Sequence, residues 1–498
     1  MTPPQGIPRA PQLSKSRYLS GLQCHERLYL EVHSPDLAGE PDQQLEARLE
    51  MGIQIGELAR ESFRGGVLVD IEGLGIAGAI ARTSKLTADT NVSSVFEGMF
   101  AFQNVRVRVD ILERASESSW RLVEVKSSTQ VKDDHLDDVA IQAYVLAGAG
   151  IKLERSELMH INNQYVYLGG EFDLRQLFLR QDVTEEVAAR LPDIPSRLAV
   201  MREMLSASSP PAIEPDHHCF DPYECPFWGH CTQAKPDRWV FYLPGGKRTF
   251  QELTSRGVQT IDEIPADIRL TGIQQRMKDN VEWIGPGLRA ELNSVRYPVH
   301  HLDFETFMPA IPRYPNTRPY QTIPFQWSNH IVSGDGQMRH EECLCAERKD
   351  PREEFLGTLL ASVGSEGTIC VYSGYEARIL KELADAFPRF QSEIDQAIER
   401  FWDLLSVIRA HYYHPEFGGS FSIKSVLPAV VPSLGYEDLE IQEGTMASLQ
   451  YYRMIFEVSD ETERTRLRMA LLKYCRRDTL AMVELRKALV LKAAGVGS

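Results

Sequence analysis

The sequence predicts an α/β protein with at least two domains, and three observations predict it. A chain of 498 residues exceeds what one hydrophobic core organises. Segments whose apolar residues alternate with period two stand between segments with helical spacing. Near residue 296 a mainly helical stretch gives way to a strand that opens a second α/β unit. The expected boundaries are 1–235, a helical connector over 236–295, and 296–498.

Taken in order, polar and proline-rich residues open the chain and read as disordered. SKSRYLSGLQCHERLYL predicts a short helix over 13–32. Residues 44–64 predict a second, with Gly52, Gly56 and Ala59 on a small-residue face. NVRVRVDILERA and WRLVEVKSS both alternate and flank the polar turn SESS, the pattern of a hairpin. A helix is expected over 137–148, a further hairpin in LMHINNQYVYLGGEFD, and a helix over 182–206. Pro210–Lys235 is dense in proline, histidine and cysteine, and reads as a metal-stapled loop closing the first domain. In the second domain, strands are expected at 298–304 and 367–373, and helices at 375–387 and 464–493.

Composition narrows the function. Hydrophobic residues make up 43% and charged residues 25%, as in ordinary globular proteins. No apolar run reaches the length of a membrane span, and the N-terminus lacks a signal-peptide core, so the cytoplasm is expected. There are 54 basic and 70 acidic residues, a net charge of −16, which excludes a protein that coats nucleic acid by bulk electrostatics. An enzyme whose clustered carboxylates hold divalent cations remains open, because bound metals reverse the local charge. Of eight cysteines, Cys219, Cys225 and Cys231 fall within 13 residues, a spacing that suits metal better than disulfides.

Three constellations carry chemistry. In the first, Glu124 and Lys126 lie two apart on a strand and share a face, with Asp110 on the partner strand across a short turn. Two acids can ligate a divalent cation, and the lysine can polarise water and offset phosphate charge. The pattern resembles the PD-(D/E)xK nuclease core, and Gln142 on the following helix resembles its RecB-type branch. Tyr144 sits closer to that glutamine than is usual there. The histidine that often ligates metal on an early helix is missing from MGIQIGELAR, leaving Glu57 or Glu97 as substitutes.

The second constellation is Cys24 with Cys219, Cys225 and Cys231. Four thiolates suit an iron–sulfur cluster or structural zinc, and His217, His218 or His230 could complete a zinc site without Cys24. One cysteine before the core and three after it resembles the iron–sulfur RecB-type nucleases, which include the CRISPR spacer-acquisition exonucleases and AddB. That resemblance implies [4Fe–4S].

In the third, HHLDFET places Asp303 and Glu305 on one strand face, Glu376 opens a helix after another strand, and Tyr474 and Asp478 share a face of the last helix. Four converging carboxylates can hold two metals, with Tyr474 placing the attacking water. The order resembles the RNase H-like DEDD exonucleases of the Y-x3-D type, with Glu376 where an aspartate is usual and Asp403 as the alternative acid. Tyr320, Phe325, Trp327 and Lys424 lie between the motifs. The aromatics offer base stacking or strand core (Phe325 reads as core), and the lysine a phosphate contact. Cys343, Cys345, Cys370, Cys475, His300 and His301 read mainly as packing residues.

Together the resemblances imply a PD-(D/E)xK restriction-endonuclease-like domain followed by an RNase H-like domain. The implied activity is metal-dependent hydrolysis of DNA in preference to RNA, an exonuclease of DNA repair or defence using Mg2+ or Mn2+. An RNA-processing exonuclease and a catalytically degenerate nucleic-acid-binding scaffold are the other readings.

Overall fold

In a computed structural model the chain forms two α/β units. The structure describes residues 12–40 and 43–495; the proline-rich start expected to be disordered lies outside the described residues, apart from its last position. The first unit comprises 1–235 with 310–320, the second 236–309 with 321–498. Residues 236–295, expected as a separate connector, therefore cluster with the second unit. Among the described residues, no helix is long and apolar enough to cross a membrane.

The first unit is built on seven strands: β1 (Leu13–Ser14), β2 (Val67–Leu68), β3 (Ser94–Phe102), β4 (Val105–Arg114), β5 (Trp120–Lys126), β6 (Leu153–Ile161) and β7 (Phe178–Asp182). The sheet order is β2-β3-β4-β5-β6-β7, and β1 pairs in parallel with β4. The expected hairpin is β4–β5, with Ile111 against Val123. The second expected hairpin is not formed: β6 pairs with the more distant β7, because residues 162–177 fold as turns and a short helix. The helices are α1 (Lys15–Gln23), α2 (His25–His33), α3 (Gln43–Arg60), α4 (Ile71–Ala88), α5 (Asp133–Gly148), α6 (Leu174–Leu177), α7 (Thr184–Arg190), α8 (Ile194–Leu205) and α9 (Trp228–Thr232). The single helix expected over 13–32 is two, because Cys24 between them is extended, with φ −160° and ψ 125°. Ser14 caps α1 by accepting the Arg17 N–H at 3.2 Å. One core lies between the sheet and α5, around Leu122, Val139 and Leu146; another lies where Ile55 and Ala59 of α3 meet Ile111 and Val123.

The second unit carries α10 (Gly246–Ser255), α11 (Gly272–Asp279), β8 (Trp283–Ile284) and α12 (Leu288–Asn293) before its main sheet. That sheet contains β9 (Val299–Phe307), β10 (Ile323–Val332), β11 (Met338–Leu344), β12 (Thr368–Val371) and β13 (Phe401–Asp403), in the order β11-β10-β9-β12-β13. The first three strands are antiparallel neighbours; β12 and β13 continue in parallel. A small ribbon pairs β14 (Tyr412–Tyr413) with β8. The helices are α13 (Arg352–Val363), α14 (Tyr375–Ala386), α15 (Gln391–Ile398), α16 (Leu404–His411), α17 (Ile423–Val430), α18 (Gly444–Phe456) and α19 (Glu461–Gly495). Every residue of β10 is buried, as expected of a strand covered on both faces. Trp327 and Asn329 bond to Thr358 and Ser362 of α13 on one face; Gln326 and Ser328 bond to Leu471 and Thr479 of α19 on the other.

Candidate metal and catalytic sites

The first acidic site forms where β4, β5, α1 and α5 meet. The β4–β5 register brings Asp110 beside Glu124, and Asp110 accepts the Val125 N–H at 2.9 Å. Glu124 is 2% exposed. One of its oxygens accepts from Lys126 and from Lys15, both at 2.8 Å; the other accepts from the Gln142 amide at 2.7 Å. Gln142 also donates to Asp138 at 2.9 Å, and both lysines pair with Asp138. Burial pushes the Asp110 carboxyl up despite the two ammonium groups. Burial and the Asp110 charge push Glu124 up as well, but Lys126 and Lys15 outweigh them and hold it below its ordinary value.

Asp110, Glu124, Lys126 and Gln142 are thus brought together, with two members the sequence reading missed. Asp138 lies one helical turn before Gln142, so its i,i+4 spacing was an available signal. Lys15 is 109 residues from Glu124 and carried no local signal. Tyr144 points elsewhere, its hydroxyl bonded to Gln103 at 2.8 Å. Glu57 is 62% exposed and pairs with Arg60 at 3.6 Å, away from the acid set. Glu97 lies within β3 with φ +55°, a left-handed conformation costly for a non-glycine residue. It pairs with Arg60 and Arg108, and its charge reaches Asp110.

The four cysteines also converge. Cys24 is presented at the α1–α2 break. Turns and short helical segments over 216–232 carry the other three, Cys231 within α9, with the Cys225 N–H bonded to the Cys219 carbonyl at 2.7 Å and the Cys231 N–H to the Phe227 carbonyl at 2.9 Å. Leu30, Phe227 and Trp228 pack around them. Burial pushes the thiols up, Cys219 to about 11 and Cys231 to about 12, and the other thiols' charges add to this. Bare thiolates are therefore unfavourable here, and a cationic centre would offset their charge. His218 lies 3.6 Å from the Cys219 sulfur, while His217 is held by Asp216 at 2.8 Å.

The second acidic site lies on the sheet face covered by α19. Asp303 and Glu305 stand opposite Ser328 and Gln326. Glu376, in the first turn of α14, shares a hydrogen bond with Asp303. Asp478 accepts from the Tyr436 hydroxyl at 2.5 Å and from Tyr474. Thr306 and Tyr375 hydroxyls, 2.5 Å apart, tie β9 to the start of α14. All four acids are pushed up, first by burial; Asp478 reaches about 6 and Glu376 about 7, while Asp303 and Glu305 lie well above the carboxylate range. The charges of Asp478 and Glu376 contribute at both Asp303 and Glu305. Asp403 adds its charge at Glu376 but caps α16, accepting from Leu405 and Ser406 N–H groups.

Two cations act here, Arg477 on Asp478 and Lys424 on both Glu305 and Asp478. The Lys424 ammonium lies 5.6 Å and 5.4 Å from the Tyr436 and Tyr474 ring centres. Tyr436 was not anticipated; it stands alone in GYEDLE without a spacing signal. Burial and Asp478 keep the Tyr474 and Tyr436 hydroxyls protonated, so both are donors. A side chain at Gly444 would meet a Glu305 oxygen at 3.8 Å and the Tyr474 hydroxyl at 3.9 Å, so the start of α18 walls the site. Of the aromatics offered for stacking, Phe325 and Trp327 are buried, Phe325 stacked on Tyr451 at 3.7 Å. Tyr320 belongs to the first unit, with its hydroxyl donating to the Ser127 carbonyl. His300 and His301 are buried and held low by burial, to about 4 and about 3.

Fold and sites define a two-unit α/β chain with a largely buried carboxylate cluster in each unit and a cluster of four thiols in the first. Residues 300–422 match a family model described as a domain of unknown function (DUF2779). Among solved structures, the one titled "Crystal structure of SSO0001" is 13% identical over 41% of this chain and 80% of that chain, with a TM-score of 0.21. No curated protein matches the chain.

Proposed function

We propose that this chain is a divalent-metal-dependent nuclease, hydrolysing DNA phosphodiesters at an RNase H-like exonuclease site in the second unit and a RecB-type site in the first. The observation that carries the reading is the second acidic cluster, where buried Glu305, Glu376 and Asp478 and half-buried Asp303 gather from β9, α14 and α19, with the charges of Asp478 and Glu376 raising Asp303 and Glu305 and Lys424 facing the set. Such a concentration of oxygen ligands suits Mg2+ or Mn2+. Asp303 and Glu305 lie on β9 past the Val299–His301 stretch that pairs with β12, and Glu376 follows β12, so the cluster gathers beyond the carboxyl end of β12 beside the two strands where the chain order switches, a favoured place for ligands in open α/β sheets.

Asp303, Glu305, Glu376 and Asp478 would hold the metals. When bound, these supply Lewis acidity at the phosphate and an activated water. The protein's own groups do the rest. Tyr474, a protonated donor beside Asp478, orients the attacking water, and Lys424 offsets charge on the phosphate. In the first unit Asp110, Glu124 and Asp138 are faced by Lys15 and Lys126, so this pocket is nearer neutrality. That balance favours a second reading for this unit alone: a phosphate-binding site with weak metal affinity.

The thiol set supports a metal centre: Cys24 and the three cysteines of 216–232 act on one another's charge, and four thiolates suit [4Fe–4S], the reading the resemblance to iron–sulfur RecB-type nucleases implies, with structural zinc the alternative.

The test is cleavage of end-labelled DNA and RNA of one sequence, single- and double-stranded, with Mg2+, Mn2+ or EDTA. Cleavage stops in EDTA. Asp303→Ala and Lys126→Ala each lower one activity about 100-fold or more. Cleavage unchanged by both substitutions sinks the proposal.

A further inference from the structure

A further ligand cluster in the second unit lies outside the acidic site described there. Cys343 is the penultimate residue of the edge strand β11, and Cys345 follows the strand end. Two residues apart in extended chain, they present their sulfurs to one side. Glu354 stands in the first turn of α13. The two sulfurs and a Glu354 carboxylate oxygen all lie within 4.8 Å of one another.

Both frames are rigid. The Cys345 N–H donates to the Phe325 carbonyl at 2.9 Å, and its sulfur lies 3.7 Å from the carbonyl of Pro351, which precedes α13. The Thr358 hydroxyl reaches Cys343 and also accepts the Trp327 indole N–H at 3.0 Å. Lys349 pairs with Glu354 at 3.0 Å from the solvent side.

We propose that Cys343, Cys345 and Glu354 form a binding site for a borderline-soft divalent cation of the zinc class. Two thiolates and a carboxylate suit zinc, and match poorly with the hard cations that all-oxygen sites take. Cys345 is 2% exposed, Cys343 half-buried, and the Glu354 side chain 38% exposed, so solvent reaches a fourth coordination position. A disulfide is the competing use of the two thiols. Residues i and i+2 of a strand stand about 6.7 Å apart between Cα atoms, at the upper end of what a disulfide spans. A metal between the sulfurs needs no such closure, and it would clip the edge strand β11 to α13.

The experiment titrates Co2+ into the full-length chain under reducing, anaerobic conditions. The thiolate-to-cobalt charge-transfer absorption of wild type is compared with Cys343→Ser and Cys345→Ser. The four-cysteine cluster is common to all three proteins and cancels. Each variant should bind one equivalent fewer than wild type. A second readout uses wild type alone, so that a misfolded variant does not decide the matter: Zn2+ should slow iodoacetamide modification of Cys343, followed by mass spectrometry, about tenfold, since metal occupies the nucleophilic thiolate. Equal stoichiometry in folded wild type and variants, modification indifferent to Zn2+, or a Cys343–Cys345 disulfide persisting in reductant overturns the site.

Discussion

Glu376 is 3% exposed and shares a hydrogen bond with Asp303, and burial holds its carboxyl near 7; Asp478 stands near 6 for the same first cause. Both lie above the unfolded carboxylate range. From about pH 4 to pH 7 these two carboxyls therefore bind more protons in the folded than in the unfolded chain, and the stability they contribute is lost as pH rises through that window. His300 and His301, held low by burial, act in the opposite sense below about pH 6.5. Melting followed by circular dichroism in EDTA at pH 5 and pH 8 isolates the carboxyl by comparison: wild type should lose more Tm, or gain less, on going to pH 8 than Glu376→Gln does, and an identical pH dependence in the two proteins argues against a strained carboxylate. Glu376→Gln keeps the shape and removes the charge. It should stabilise the metal-free chain at pH 8 by about 1–3 kcal/mol while lowering second-site cleavage about 100-fold. Such residues were partly legible in the sequence. Asp303, Glu305, Tyr474 and Asp478 announce themselves because period two on a strand and i,i+4 on a helix each define a face. Lys15 and Tyr436 do not, since each reaches its acid only through the tertiary fold.

Among elements, β10 shows how packing overrides simple alternation. Covered by α13 on one face and α19 on the other, it buries polar Gln326, Ser328, Asn329 and His330 alongside Phe325 and Trp327, and bonds each of the four polar side chains to a partner. Phe325, fully buried against Tyr451, should cost about 3–5 kcal/mol when changed to alanine, read as a drop in Tm. A change within measurement error would remove it from the core. The α1–α2 break was hidden because SKSRYLSGLQCHERLYL keeps helical spacing through Cys24, and only its role at the thiol cluster distinguishes that residue. Cys219→Ser should abolish visible absorption of anaerobically purified protein and lower the Tm of the first unit, since a cluster joining Cys24 to Cys231 closes a loop of about 200 residues. Unaltered absorption would assign the colour elsewhere. The missed β6–β7 pairing has a similar origin, because a strand's partner can follow a long turn as readily as a short one.

For the molecule as a whole, the net charge is −16, and part of that acidity is gathered by folding into two clusters. Four carboxylates face Lys424 and the charge of Arg477 in the second unit, whereas three face two lysines in the first, so the second cluster keeps the larger excess of negative charge. The α/β class was readable from periodicity and length, but the assignment of 310–320 to the first unit was not, because nothing local in that segment marks which sheet it joins. The charge balance ranks the two sites: divalent cations should fill the second before the first. Crystals of the full chain soaked in limiting Mn2+ and examined by anomalous scattering would decide. Density among Asp303, Glu305, Glu376 and Asp478 appearing ahead of any at Asp110 and Glu124 is the expected outcome. Manganese bound elsewhere, with those four carboxylates bare at saturating metal, would mean that the cluster is not a catalytic metal centre.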